Sequence, residues 1–266
     1  MRIRLMAAAI LALGIFNGSA QGQLGGSTTF NNANVAQWAG TTSVSDSANM
    51  SVTAGATDLC AFAVIGYDGA SSPAITGVTW NGVAMTLAGS PGVAQTIAPY
   101  TGNSVIYYLA NPATGTHTLA ITGNSNVFEI YYNLVSFNHC NQSSPVRSGT
   151  YANTYSTTAG SASGSIVISS NASDLTISTT ESGQYVGTDS TNQTSDGINN
   201  SGGNGFGSDH ATTPAASVTS TWTADHNFNA SSLCGLSVRN DSSVVIVAPA
   251  AKWFAGLNRQ AIGGVR

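Results

Sequence analysis

Two of the four histidines in this chain follow an aspartate directly, in Asp209-His210 and Asp225-His226. An Asp–His pair is the raw material of acid–base catalysis. Neighbours in a strand point to opposite faces, however, so adjacency alone does not make a dyad. No Gly-x-Ser-x-Gly turn accompanies either pair to supply a nucleophile. His139-Cys140 offers two metal ligands, but a structural zinc site draws on four and the sequence holds no second close pair. These histidines read as surface-loop residues. Glu129 and Glu181 are the only glutamates. A glycosidase needs two carboxylates flanking the scissile bond. Glu129 sits in the strand-like run Val127 to Tyr132 and has no identifiable mate, so a secreted hydrolase is the weakest reading. Asp189, Asp196 and Asp209 lie in a long polar stretch and have the oxygen chemistry for Ca²⁺. They lack alternating Asp-x-Asp-x-Asp spacing and read as solvated loop residues. The expectation is no catalytic residue, no metal and no cofactor.

Charge narrows the field further. From Gly26 to Arg239 the only basic residues are Arg147 and Arg239. That stretch has no lysine for a Schiff base and no arginine cluster for phosphates. The mildly acidic body would repel a nucleic-acid backbone, so nucleic acid is not an expected partner. Charged residues make up 7% of the chain, roughly a quarter of the usual share. Aromatic and β-branched residues are nevertheless plentiful, which is not the signature of disorder.

The elements that would position these residues are strands. Runs rich in Val, Ile, Thr and Tyr recur near 29–36, 49–54, 57–67, 76–81, 83–88, 103–109, 115–122, 127–138, 164–169, 173–180, 216–223 and 232–239. Asn81-Gly82, between two β-prone segments, predicts a two-residue type I′ hairpin. Asn111-Pro112-Ala113-Thr114-Gly115 punctuates a second pair of strands. Leu175 and Ile177 share one face of their run, and Ala216, Val218, Ser220 and Trp222 share a face of theirs. One-sided strands with polar outer faces predict packed antiparallel sheets. Residues 183–214 are Gly-, Asn-, Ser- and Thr-rich and read as one long loop. The expected fold is all-β, an antiparallel β-sandwich of jelly-roll type.

Domain organisation follows: an apolar N-terminal arm or signal peptide over 1–25, the sandwich over 26–240, and a C-terminal arm with a short helix over 241–266. A basic start, the apolar run Leu5 to Phe16 and small residues at Gly18 and Ala20 fit a secretory signal cleaved near Ala20. That run is too short to span a bilayer, so no transmembrane segment is expected. The same run fits an ordered docking arm through Leu5, Ile10, Leu11, Leu13, Ile15 and Phe16, matched at the other end by Trp253, Phe254 and Leu257. Three cysteines leave one unpaired in any scheme. Either all are buried thiols, or Cys60 and Cys234 join an early and a late strand in a disulfide, which needs an oxidising compartment. Among the aromatics, Trp38, Tyr185 and Phe206 are candidates for a glycan-binding platform.

The order of three motifs carries a resemblance. They are Gly77-Val78-Thr79-Trp80-Asn81-Gly82-Val83-Ala84-Met85-Thr86, then Val105 to His117, then Val135-Ser136-Phe137 followed by Ser143-Ser144-Pro145-Val146. Over roughly 28–240 the chain resembles a loosely defined family of β-sandwich proteins found in bacteriophage and environmental bacterial genomes. Members often carry Gly-Val-Asp after the strand ending near Phe137. Here Asn138-His139-Cys140 stands there, so no role of that aspartate transfers. The resemblance implies a fold and a bias towards particle or cell-surface proteins, and no catalytic site. The functional expectation is a non-enzymatic structural protein of a phage particle, a capsid decoration, spike or fibre component. It would be located in the virion and assemble with itself and other particle proteins through its arms. The alternative is a secreted β-sandwich that binds surface glycans or adheres.

Overall fold

The structure, a computed structural model, describes residues 29–34, 37–39, 45–54, 57–69, 75–89, 95–97, 100–124, 127–148, 150, 152–155, 163–182, 190–199, 205–223 and 231–241. All of them fall in one compact unit, Gly25–Ser242. Both terminal arms, with Leu5, Ile10, Leu11, Leu13, Ile15, Phe16, Trp253, Phe254, Leu257 and the short C-terminal helix, lie outside the described residues, as do Tyr185, Asp189 and Asp225-His226.

Every described element is a strand. In chain order they are β1 (Thr29–Ala33), β2 (Gln37–Ala39), β3 (Ser45–Val52), β4 (Cys60–Gly69), β5 (Ile75–Trp80), β6 (Val83–Ala84), β7 (Thr86–Leu87), β8 (Gln95–Ile97), β9 (Tyr100–Ala110) and β10 (Gly115–Gly123). The second half holds β11 (Val127–Asn138), β12 (Ala152–Tyr155), β13 (Ser163–Ser169), β14 (Leu175–Ser182), β15 (Ser190–Thr191), β16 (Thr194–Asn199), β17 (Gly205–His210), β18 (Ser217–Thr223) and β19 (Ser231–Val238).

These strands form four antiparallel sheets. Sheet I runs β3-β10-β5-β6, and sheet II runs β1-β11-β4-β9-β7 with β2 added on β11 and β8 on β9. Sheet III runs β12-β19-β14-β17-β16, and sheet IV runs β13-β18-β15. Side-chain alternation stacks them in that order. On β4, Ala61, Ala63, Ile65 and Tyr67 enter a core shared with Trp80 and Leu119 of sheet I. Cys60, Phe62 and Val64, on the opposite face, enter a core shared with Ile177, Phe206 and Leu236 of sheet III. A third, smaller core joins Leu233 of sheet III to Ile166, Ile168 and Trp222 of sheet IV. Sheet II is therefore buried on both faces, which is why β4 and β11 read as continuous apolar runs. Sheet IV is buried on one face, and β13 shows it: Ile166 and Ile168 are buried between exposed Ser165, Val167 and Ser169. The all-β stack is compatible with the expected β-sandwich and is built from four antiparallel sheets.

Several expected details hold. Trp80 pairs with Val83 across Asn81-Gly82, with φ of 49° and 76° at the two turn residues, the left-handed values of a type I′ turn. Two expectations need correction. The stretch 183–214 is not one loop, because β15, β16 and β17 lie in it, and β17 is buried along its whole length. Its small residues are what let it sit there. A Cβ at Gly207 would stand 2.3 Å from the Trp222 ring.

The disulfide is also not the expected one. Cys60 pairs with Cys140 (Cα–Cα 5.9 Å), and Cys234 is buried in sheet III outside that bridge. Register explains the choice. Phe137 lies opposite Cys60 in the β4–β11 ladder. The positive φ of His139 then turns the chain so that the Cys140 N–H donates to Asp58 O at 2.9 Å. Cys234 is paired instead with Thr179 and Asn153, one layer away.

The crossing from sheet II to sheet III is tied at several points. Cys140 and Val146 make single bridges to Asn240 and Val238. The Arg239 N–H donates to Pro145 O at 2.7 Å. The Arg147 guanidinium grips Asp174 through two nitrogens, while Asp174 also accepts from the Ser237 hydroxyl and the Asn240 N–H. Both arginines of the body are used at this crossing.

Candidate functional site: polar clusters sealed between sheets

Three groups of polar side chains lie inside the stack. The first fills the seam between sheets III and IV. Odd-numbered residues of β17 face sheet IV, which aims Asp209 at β18 and β15. Its carboxylate accepts from Ser220 Oγ at 2.7 Å and from Ser178 Oγ and Thr191 Oγ1 at closer range. The two serine oxygens stand 2.9 Å apart. Burial pushes the Asp209 carboxyl up to about 6, against the pull of the three hydroxyls on its charged form, with the charge of Asp196 adding to the rise.

His210, the next residue, points the other way, into the seam between sheets II and III. Its Nδ1 lies 2.6 Å from Asp196 Oδ1 on β16, and both side chains are nearly closed to water. The Phe30 ring stacks on the imidazole at 4.2 Å and 4°, and Phe137 meets it edge-on. Asn133 of β11 donates to Asp196 O at 3.0 Å. Burial raises the Asp196 carboxyl although the bond to His210 opposes the rise. Asp196, Asp209 and His210 are thus interior groups, which corrects their reading as solvated or surface-loop residues. Adjacency in Asp209-His210 brings no joint chemistry, because the two side chains occupy different seams.

The third group lies elsewhere in the II/III seam. Tyr131 donates to Glu129 Oε2 at 2.8 Å, and its ring stacks against Phe206. Glu181, on β14, is fully buried, and neither carboxylate oxygen has a hydrogen-bond partner among the described residues. Burial holds its carboxyl well above the usual range, and the charges of Asp68 and Glu129 push the same way. The Asn103 backbone N–H is the opposing influence, favouring the charged form. Burial, the bond to Glu129 and nearby carboxylates likewise drive the Tyr131 hydroxyl far above its ordinary value.

Glu129 therefore has neighbours that sequence reading did not assign. A usable signal was present. Leu175 and Ile177 face inward, and continuing by twos through Thr179 reaches Glu181. Placing the end of that strand at residue 180, two residues short of its end at Ser182, hid the relation. Of the three glycan-platform candidates, Tyr185 lies outside the described residues. Phe206 is fully buried, because it lies between Tyr131 and Gly66 in the II/III core. Trp38 lies on β2 opposite Tyr131. His139 and His117 make local contacts, to Thr57 Oγ1 and to Thr114 O. Among the described residues no three His, Cys, Asp or Glu side chains stand in metal-holding geometry, and no helix is long and apolar enough to cross a membrane. No protein-family model, curated protein or solved structure matches the chain.

Proposed function

We propose that the sandwich is of jelly-roll type and that the protein is a non-enzymatic structural component of a phage particle, a decoration, spike or fibre element located in the virion. One observation supports the non-catalytic part above others. Among the described residues, Asp209, His210, Glu129 and Glu181 are each at most 5% exposed and lie between packed sheets, closed to a substrate. The sequence resemblance across Gly77 to Val146 supports the particle setting, and the terminal arms would join it to copies of itself and to neighbouring particle proteins. Quantitative mass spectrometry of density-purified particles tests this. Stoichiometric copies per particle are expected, and absence from the particle fraction would overturn it.

A second reading is favoured by one feature, the Cys60–Cys140 disulfide. Disulfides persist in oxidising compartments. In this reading the chain is exported after cleavage near Ala20 and acts as a secreted adhesion or glycan-binding protein. Recovery from culture supernatant as a monomer or small oligomer, retained on cell-surface glycans, would support it over the first.

A further inference from the structure

Glu181 is poorly accommodated among the described residues. Its side chain is closed to water, its oxygens have no side-chain hydrogen-bond partner there, and only the Asn103 backbone N–H favours its charged form. It is also pinned in place. A Cβ on Gly66 would lie 2.7 Å from Glu181 Cβ and 2.8 Å from Cγ, so the carboxylate stem rests directly on the β4 backbone. The described elements packed around it present acidic or neutral groups, and β9 presents the Asn103 backbone N–H. β4 presents Gly66 and Asp68, and β11 presents Glu129 and the Tyr131 hydroxyl. β17 presents Phe206 opposite it, and β19 presents Ser232, whose hydroxyl is itself buried without a partner among the described residues. The two described cations are committed elsewhere, Arg147 to Asp174 and Arg239 to Ser144. A third negative charge beside Asp68 and Glu129, in a closed space with neither described arginine beside it, is strongly unfavourable. A neutral carboxyl removes that conflict.

We propose that Glu181 is a proton-held latch: its carboxyl carries a proton while sheets II and III are stacked, and loss of that proton loosens the seam between them. The direction follows from linkage. The unfolded chain ionises near the ordinary value of 4.5, and the folded chain does so well above it. The latch is therefore fully closed below about pH 4.5 and weakens as pH rises towards the folded value. In that window this one group lowers the folding equilibrium constant about tenfold per pH unit. Asp209 and Asp196 shift stability in the same direction, so comparison with Glu181→Gln is what separates the latch from them.

The test is hydrogen–deuterium exchange of the full chain from pH 4 to 10, corrected for the pH dependence of intrinsic exchange, on the wild type and Glu181→Gln. Protection of β4 and β14 is expected to fall with pH in the wild type, ahead of β3 and β10 in sheet I, and to stay level in the variant. An equal fall in both proteins, or no fall in the wild type, would overturn the latch. Should the amide variant not fold, infrared spectroscopy of wild-type protein labelled with carbon-13 glutamate decides. Only Glu129 and Glu181 then report. A carboxyl band that persists in the folded chain above the ordinary value of 4.5 and is lost on unfolding is expected, and its loss at that ordinary value in the folded chain would refute the proposal.

Discussion

Asp209→Asn is the sharpest probe of how the buried clusters set stability. In the folded chain the Asp209 carboxyl is raised from 3.8 to about 6. At 1.36 kcal/mol per pH unit, that shift corresponds to about 3 kcal/mol. For an acid raised in the folded state, the contribution is fully present below the unfolded value and is lost as pH rises through the folded one. Wild-type stability should therefore fall by about 3 kcal/mol from this group between pH 3.8 and 7. The asparagine variant cannot titrate, and its amide group cannot accept from all three of Ser178, Thr191 and Ser220. It loses roughly 1–3 kcal/mol at pH 4, where the wild-type carboxyl is neutral. Near pH 7 the two proteins should approach or cross. The assay is urea unfolding at pH 4, 5, 6 and 7, followed by tryptophan fluorescence, since Trp80 and Trp222 are both fully buried. Glu181 tilts both curves alike, so the difference between the curves isolates Asp209 together with its charge coupling to Asp196. Parallel curves would refute the reasoning.

Other outcomes follow from the packing. Cys140→Ser opens a loop with a sequence separation of 80, and loop-closure entropy predicts a loss of ~4.5 kcal/mol; unfolded, unreduced wild type should titrate one thiol with a thiol reagent, and reduced protein three. Gly207→Ala places a methyl 2.3 Å from the Trp222 ring and should cost roughly 1–3 kcal/mol in denaturant unfolding, with a shifted tryptophan emission. Phe30→Ala removes the ring stacked on His210. It should cost about 0.5–1.5 kcal/mol beyond the lost apolar area, measured by a double-mutant cycle with His210.

The strands of sheets I and II were legible because their code is local. Asn81-Gly82 marks a hairpin wherever it falls between β-prone runs, and the doubly buried run Cys60 to Tyr67 contains hardly a polar residue. β17 was not legible for the opposite reason. Gly205-Phe206-Gly207-Ser208-Asp209-His210 has the composition of a loop, and only the Trp222 ring above Gly207 and the hydroxyls around Asp209 make it an interior strand. Those partners come from β18, β14 and β15, at separations that no local pattern reveals. The disulfide was misassigned likewise. Cys60 and Cys234 both sit in apolar runs, but the bridge depends on the register of β4 with β11 and on one left-handed residue, His139. The carboxylates in the II/III seam were visible singly. Their meeting is a product of stacking sheet III on sheet II, which alternation within one strand cannot report.

The structural-component account is tested most directly by the intact mass of the native protein from its natural source, measured together with the size of the assembly that contains it. The account predicts a mass counted from Met1, in a large particle. A mass beginning near Gln21, in a monomer or small oligomer, would contradict it and leave the exported adhesion protein in its place.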